Sequence, residues 1–289
     1  MAHPVYLHYD RDALHAQYNN RGKVPDFTVY GKAWTERTEA FHARKPKAHF
    51  DVAYGSGPRQ RLDIYLPDGK DAPLLAWIHG GYWQWNDKEP LGFLAEPFLA
   101  AGIAFANIEY TLCPQTDFAG LVGDVRNALA FLWREAGRYG YRRDAMTVSG
   151  HSAGGHLTAT MAATDWPDVG ADLPSDLVAG AVPVSGIFDL EPIRHTPIGD
   201  PLGLDAGLAV AWSPMFMPAR TGARLAIAVG GTEGPEFHRQ AEEFATHWRG
   251  YGHEAKVLSL SGENHFSIVE KVAAADSALH HALRRLIGR

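Results

Sequence analysis

The chain has 289 residues, 46% hydrophobic and 21% charged, a balance that suits one large α/β domain with ample material for a core. Twenty-seven basic against thirty-three acidic side chains give a net charge of −6. That balance argues against a nucleic-acid surface and gives no reason for attraction to anionic lipid. No apolar run approaches the roughly 18 residues that span a bilayer, so no membrane segment is expected. The opening "MAHPVYLHYDRD" lacks a basic stretch followed by an apolar one, so no secretory signal is expected either. The single cysteine, Cys113, cannot form an internal disulfide, which favours a reducing, cytoplasmic setting. Fifteen histidines occur without HExxH or CxxC spacing, so neither a metal nor another cofactor is expected.

Residues 1–48 are mixed and polar, with rings at Tyr6, Tyr9, Tyr18, Phe27, Tyr30, Trp34 and Phe41. They read as an N-terminal arm anchored by those rings on a single domain spanning 1–289. From His49 the pattern becomes regular, with strand-like runs at 49–54, 61–66, 74–79, 103–110, 145–150, 177–186, 224–230 and 255–260. The later runs are continuous rather than alternating, as in strands covered on both faces. Helical periodicity separates them. In 117–139, Leu121, Val122, Val125, Leu129, Leu132 and Trp133 share a face. In 235–251, Phe237, Ala241, Phe244, Ala245 and Trp248 do the same, with Pro235 suited to the first turn. The stretch 266–287 reads as a third helix. This alternation predicts an α/β fold: a mostly parallel sheet of about eight strands flanked by helices. After the sixth strand, the Pro- and Gly-rich stretch 189–222 breaks the rhythm and is expected to form a lid or pocket wall.

"MTVSGHSAGGHL" (146–157) ends an apolar run in Gly150-His151-Ser152-Ala153-Gly154 and continues into a helix-compatible segment. A G-x-S-x-G turn between strand and helix lifts a serine hydroxyl clear of the sheet. The helix behind it points its positive end at developing negative charge. A serine needs a base, and His265 follows the last strand in "SGENHF". The imidazole in turn needs a carboxylate, for which Glu233 lies in the loop after the penultimate strand and Asp189 offers a second choice. Glu236, three residues further on, reads as a first-turn charge complementing the helix dipole.

"HGGYWQW" (79–85) follows the strand "LLAWI", beside the Ser152 turn. Its bare backbone can supply N–H donors to an oxyanion: Gly81 and Tyr82 from this loop, with Ala153 just after the serine. His79 reads as a residue that holds the loop by hydrogen bonding. The rings Trp83 and Trp85, with Tyr110, Phe188, Trp212, Phe216 and Phe266, are candidates to border an aromatic substrate pocket. Cys113 reads as a small packing residue.

These motifs together resemble the kynurenine formamidase (arylformamidase) family, within the α/β-hydrolases related to hormone-sensitive lipase. The resemblance rests on "LDIYLPD", "HGGYWQ", "GHSAGGHL", "VSGIFDLEPI", "GPEFHRQ" and "NHF", in family order from about residue 50 to residue 270. It implies an α/β-hydrolase fold with Ser152 as nucleophile, Glu233 as acid and His265 as base, in the chain order of that fold. Gly81, Tyr82 and Ala153 become the oxyanion donors. Animal members carry aspartate where this chain has Glu233. The implied activity is metal-free hydrolysis of N-formylkynurenine to kynurenine and formate. A carboxylesterase for short or aromatic esters, using the same residues, is the alternative. A catalytically silent receptor on this fold is a third reading, disfavoured because serine, histidine and acid are all present. The expected partner is a small aromatic amide or ester, with room for a homodimer.

Overall fold

Side chains along Ala72–Ile78 alternate between two buried clusters, Leu74, Ala76 and Ile78 in one, Leu75 and Trp77 in the other. A strand covered on both faces belongs in the interior of a parallel sheet. In the computed structural model, which describes residues 3–287, it lies there. The strands are β1 (Ala48–Ala53), β2 (Arg61–Tyr65), β3 (Ala72–Ile78), β4 (Ala104–Ile108), β5 (Tyr141–His151), β6 (Gly180–Val184), β7 (Arg224–Gly230) and β8 (Ala255–Leu260). They form one sheet in the order β1-β2-β4-β3-β5-β6-β7-β8. The β1–β2 and β2–β4 pairings are antiparallel and the remainder parallel.

From β3 the chain steps to β4 on one side, and from β5 it proceeds to β6 on the other. The order therefore reverses between β3 and β5. In open α/β sheets the crevice beyond the strand ends at such a reversal is where ligands bind. The loop 79–85 leaves β3 there, and Ser152 leaves β5 beside it.

Both faces of the sheet are covered. Helix Phe118–Arg134 is capped by Asp117, whose carboxylate accepts the Gly120 N–H at 2.7 Å, and it buries Leu121, Val122, Val125, Leu129 and Leu132 of the expected stripe, with Trp133 half-buried at its end. All eleven residues of helix Ala153–Ala163 are buried, so it packs on every side. Helix Pro235–Gly250 begins at the proline, as its missing N–H allows.

The structure differs from the sequence reading in three places. The stretch 266–287 forms two helices, Ser267–Ala273 and Ala278–Leu286, because Ser277 accepts the His280 N–H at 2.9 Å and starts the second. The arm is helical over Arg11–Tyr18, Asn20–Lys23 and Thr28–Ala43. Phe27, Tyr30 and Trp34 recur at helical spacing, and Phe27 and Tyr30 stack on Phe266. Finally, 189–222 carries short helical turns from Glu191–Arg194 to Pro214–Phe216 but contributes no residue to the cavity beside Ser152. The arm supplies that wall instead. Among the described residues, no helix is long and apolar enough to cross a membrane.

Candidate active site

Ser152 has φ 58° and ψ −117°, a conformation that L-residues rarely adopt and that costs about 1–3 kcal/mol. Its own N–H donates to the Val184 carbonyl at 2.8 Å, which fixes the turn against β6. The turn also requires very close packing against β3. A Cβ on Gly154 would sit 2.1 Å from the Ile78 carbonyl oxygen, so only glycine lets the β3 end pass.

The Ser152 Oγ lies 3.0 Å from His265 Nε2. The opposite ring nitrogen, Nδ1, faces Glu233 Oε1. The other Glu233 oxygen accepts the Ser185 hydroxyl at 2.7 Å and the Gly230 N–H at 2.8 Å. A carboxylate held at both oxygens orients an imidazole, and an imidazole so oriented can take a proton from the serine. All three side chains are buried.

The Gly81, Tyr82 and Ala153 N–H groups find no acceptor among the described residues. Gly81 has φ 122°, and a Cβ there would lie 2.1 Å from the Trp85 carbonyl oxygen. Its own carbonyl closes the turn by accepting the N–H groups of Gln84 and Trp85. His79 bridges the Gly80 carbonyl at 2.8 Å and Glu109 at 2.9 Å, and so anchors the loop to the end of β4. Burial opposes ionisation of Glu109, but hydrogen bonding and charge from His79, with Arg59, outweigh it and hold the carboxyl below its usual range. The Tyr82 hydroxyl donates to the Tyr18 carbonyl, tying the loop to the arm.

A cavity of about 230 Å³ lies beside Ser152, bordered by Trp34, Trp77, Tyr82, Trp85 and Phe266. That is somewhat below the roughly 300–1,000 Å³ of drug-sized sites, and it suits one small aromatic molecule.

Five of the seven candidate pocket rings lie elsewhere. Tyr82 and Trp83 both have positive φ, and the sharp turn sends Trp83 into the core, edge-on to His156. Tyr110 is buried, stacked on His79 at 4.4 Å. Phe188 is buried against Phe244 at 4.5 Å. Trp212 packs near Phe118, its carbonyl accepting from His156, and Phe216 is exposed on the 189–222 segment.

The alternative acid, Asp189, accepts the Tyr6 hydroxyl at 2.7 Å and the Glu191 N–H at 2.9 Å, away from His265. Glu236 is buried and paired with Arg239 at 2.8 Å, so it holds an internal ion pair as well as a first-turn position. Cys113 is buried, and that burial raises its thiol to about 11. Among the described residues no group of three or more His, Cys, Asp or Glu side chains is gathered as a metal site.

Sequence reasoning missed Ser185, His151 and the arm's contribution to the wall. His151 donates from Nε2 to the His265 carbonyl at 2.7 Å. Burial, then the nearby His265, push its pKa well below the ordinary value. His156, on the buried helix, is pushed down to about 4 by burial. Both must take up a proton on acid unfolding, because the unfolded chain titrates near 6.5. Stability should therefore fall as pH drops from about 6.5 toward 4, by up to about 1.4 kcal/mol per pH unit for each histidine. Urea denaturation of the parent and of His156→Gln across that range checks this. The variant should show the shallower slope, and equal slopes would contradict the assignment.

The BD-FAE family matches residues 62–193. The chain is similar to kynurenine formamidase of Danio rerio, 31% identical over 265 residues, covering 89% of this chain and 87% of that protein. It is similar also to kynurenine formamidase of Salmo salar, 30% identical over 247 residues, covering 83% of this chain and 82% of that protein. A crystal structure from Silicibacter sp. TM1040, described as a candidate thioesterase, is 30% identical with a TM-score of 0.84, covering 93% of this chain and 98% of that one. The chain is a hydrolase of the α/β-hydrolase fold, and it belongs to the kynurenine formamidase family.

Proposed function

We propose that this enzyme hydrolyses an aryl formamide, with N-formylkynurenine as the reference substrate, through a formyl-enzyme on Ser152. His265 takes the hydroxyl proton as the serine oxygen bonds to the formyl carbon. The carbonyl oxygen becomes negative opposite the Gly81, Tyr82 and Ala153 amides. Such preorganised donors are each worth roughly 3–4 kcal/mol in the transition state. The C–N bond then breaks, and His265 returns the proton to the departing aniline nitrogen. A water, deprotonated by the same imidazole, releases formate and restores the serine. Glu233 keeps the imidazole in the required tautomer and offsets its charge.

The observation that carries this reading is the Ser152–His265–Glu233 chain at the edge of a small, aromatic-walled cavity. A formyl group leaves only a hydrogen beside the reacting carbon, which suits a confined site. The single buried cysteine fits a reducing, cytoplasmic setting. Ester or thioester cleavage by the same residues is the second reading, favoured by the description of the Silicibacter structure. Comparing kcat/KM for N-formylkynurenine and p-nitrophenyl acetate separates the two. We expect the formamide to be at least as good a substrate. A value about a thousandfold lower would leave an esterase and remove the formamidase.

A further inference from the structure

Among the described residues that line the cavity, Arg21 and Asp87 are the only ones of Lys, Arg, Asp or Glu type. The proton relay uses neither. Arg21 comes from the short arm helix Asn20–Lys23, and Asp87 from the segment that follows the 79–85 loop.

An exposed arginine is ordinarily just solvated surface, but this one lies within cation–π range of two rings. Its guanidinium carbon lies 4.9 Å from the Trp85 ring centroid and 5.3 Å from that of Phe27. Stacking engages the flat faces of a guanidinium and leaves its N–H edge, the part that grips a carboxylate through parallel hydrogen bonds. Among the described residues, no acidic side chain lies within ion-pair distance of Arg21. Asp87 is also without a basic partner among them. One of its oxygens accepts the Glu89 N–H at 3.1 Å, while the adjacent Lys88 turns to Asp51, Asp63 and Glu89. A free cation and a free carboxylate on one small cavity complement a zwitterion. A neutral anilide or alkyl ester would use neither.

We propose that Arg21 and Asp87 form the subsite that reads the α-amino-acid end of the substrate. Arg21 takes the carboxylate and Asp87 the ammonium, while the formamide at the other end reaches Ser152. This deepens the formamidase reading and rests on it. The arm thereby becomes a specificity element, because the guanidinium that selects the substrate comes from outside the strand–helix body.

The test compares N-formyl-L-kynurenine, the same molecule without its α-amino group, and formanilide. In Arg21→Ala, kcat/KM for N-formyl-L-kynurenine should fall by roughly 10- to 100-fold, mainly through KM, and that for formanilide by at most about threefold. Arg21→Lys, which keeps the charge without the fork, should fall between parent and alanine variant. Asp87→Asn should lose roughly tenfold on the full substrate and at most about threefold on the analogue lacking the amino group. Equal losses on all three substrates would reduce Arg21 to a prop for the wall, and no loss on any would place the subsite elsewhere. Either result overturns the proposal.

Calorimetric binding of the product L-kynurenine separates this outcome from failure of the formamidase reading. Parent protein should bind it and Arg21→Ala should bind it at least about tenfold more weakly, whichever bond the enzyme cleaves. Absent binding, or equal Kd values, would overturn the subsite. A parent that hydrolyses p-nitrophenyl acetate but none of the three formamides would instead remove the formamidase reading.

Discussion

Replacing Ser152 by alanine is expected to lower kcat for the formamide by roughly 10⁶-fold, with thermal stability close to that of the parent. The size follows from the loss of the covalent route rather than of a single contact. Without the Oγ that faces His265, water must attack the formyl carbon directly, and only the backbone amides and the cavity still assist. Groups that act as a unit lose their effect together. His265→Ala should therefore cost about as much as Ser152→Ala, and the double variant little more than either. Formate release measured for all three proteins checks the pattern. Multiplicative losses would mean that the two residues act independently.

Glu233→Gln should lower kcat by roughly 10⁴-fold with little change in KM. The carboxylate faces His265 with one oxygen, and the other is fixed by Ser185 and the Gly230 N–H. An amide keeps much of that shape but can stabilise neither the imidazolium nor, in the flipped orientation, the required tautomer. Asp189→Asn is the matched control, since that carboxylate serves Tyr6 and the Glu191 backbone. It should leave kcat within about threefold of the parent, with a small loss of stability from the altered Tyr6 contact. The same steady-state assay, with melting curves for both variants, decides between the acids. A large kcat loss in Asp189→Asn with Glu233→Gln unaffected would reverse the assignment.

The strand positions were legible because β3, β4, β6, β7 and the second half of β5 are largely apolar runs, a pattern that burial on both faces imposes directly, whereas the polar start of β5 at Tyr141–Asp144 carried no such signal. The Gly150–Gly154 turn was legible for a related reason: a strained serine between glycines leaves few other residue choices at those positions. The break at 274–277 was less visible, because apolar periodicity continues across it while a single serine starts the second helix. The pocket rings were the least legible. Trp83 and Trp85 are two residues apart in one loop, yet one is in the core and the other is exposed, and only the backbone turn at Gly81–Trp83 separates their fates. Phe27, Tyr30 and Trp34 carried a usable signal, a helical spacing in the arm, but nothing in that spacing says which surface the face meets. That surface is Phe266, adjacent in sequence to His265.

In the proposed mechanism one activated hydroxyl, that of Ser152, performs the formamide chemistry. Titration with a fluorophosphonate, followed by peptide mass spectrometry and assay of residual formate release, tests it most directly. We predict one label per chain, on the peptide containing Ser152, with activity lost in proportion to labelling. Full labelling of Ser152 with formamide hydrolysis intact would contradict the account.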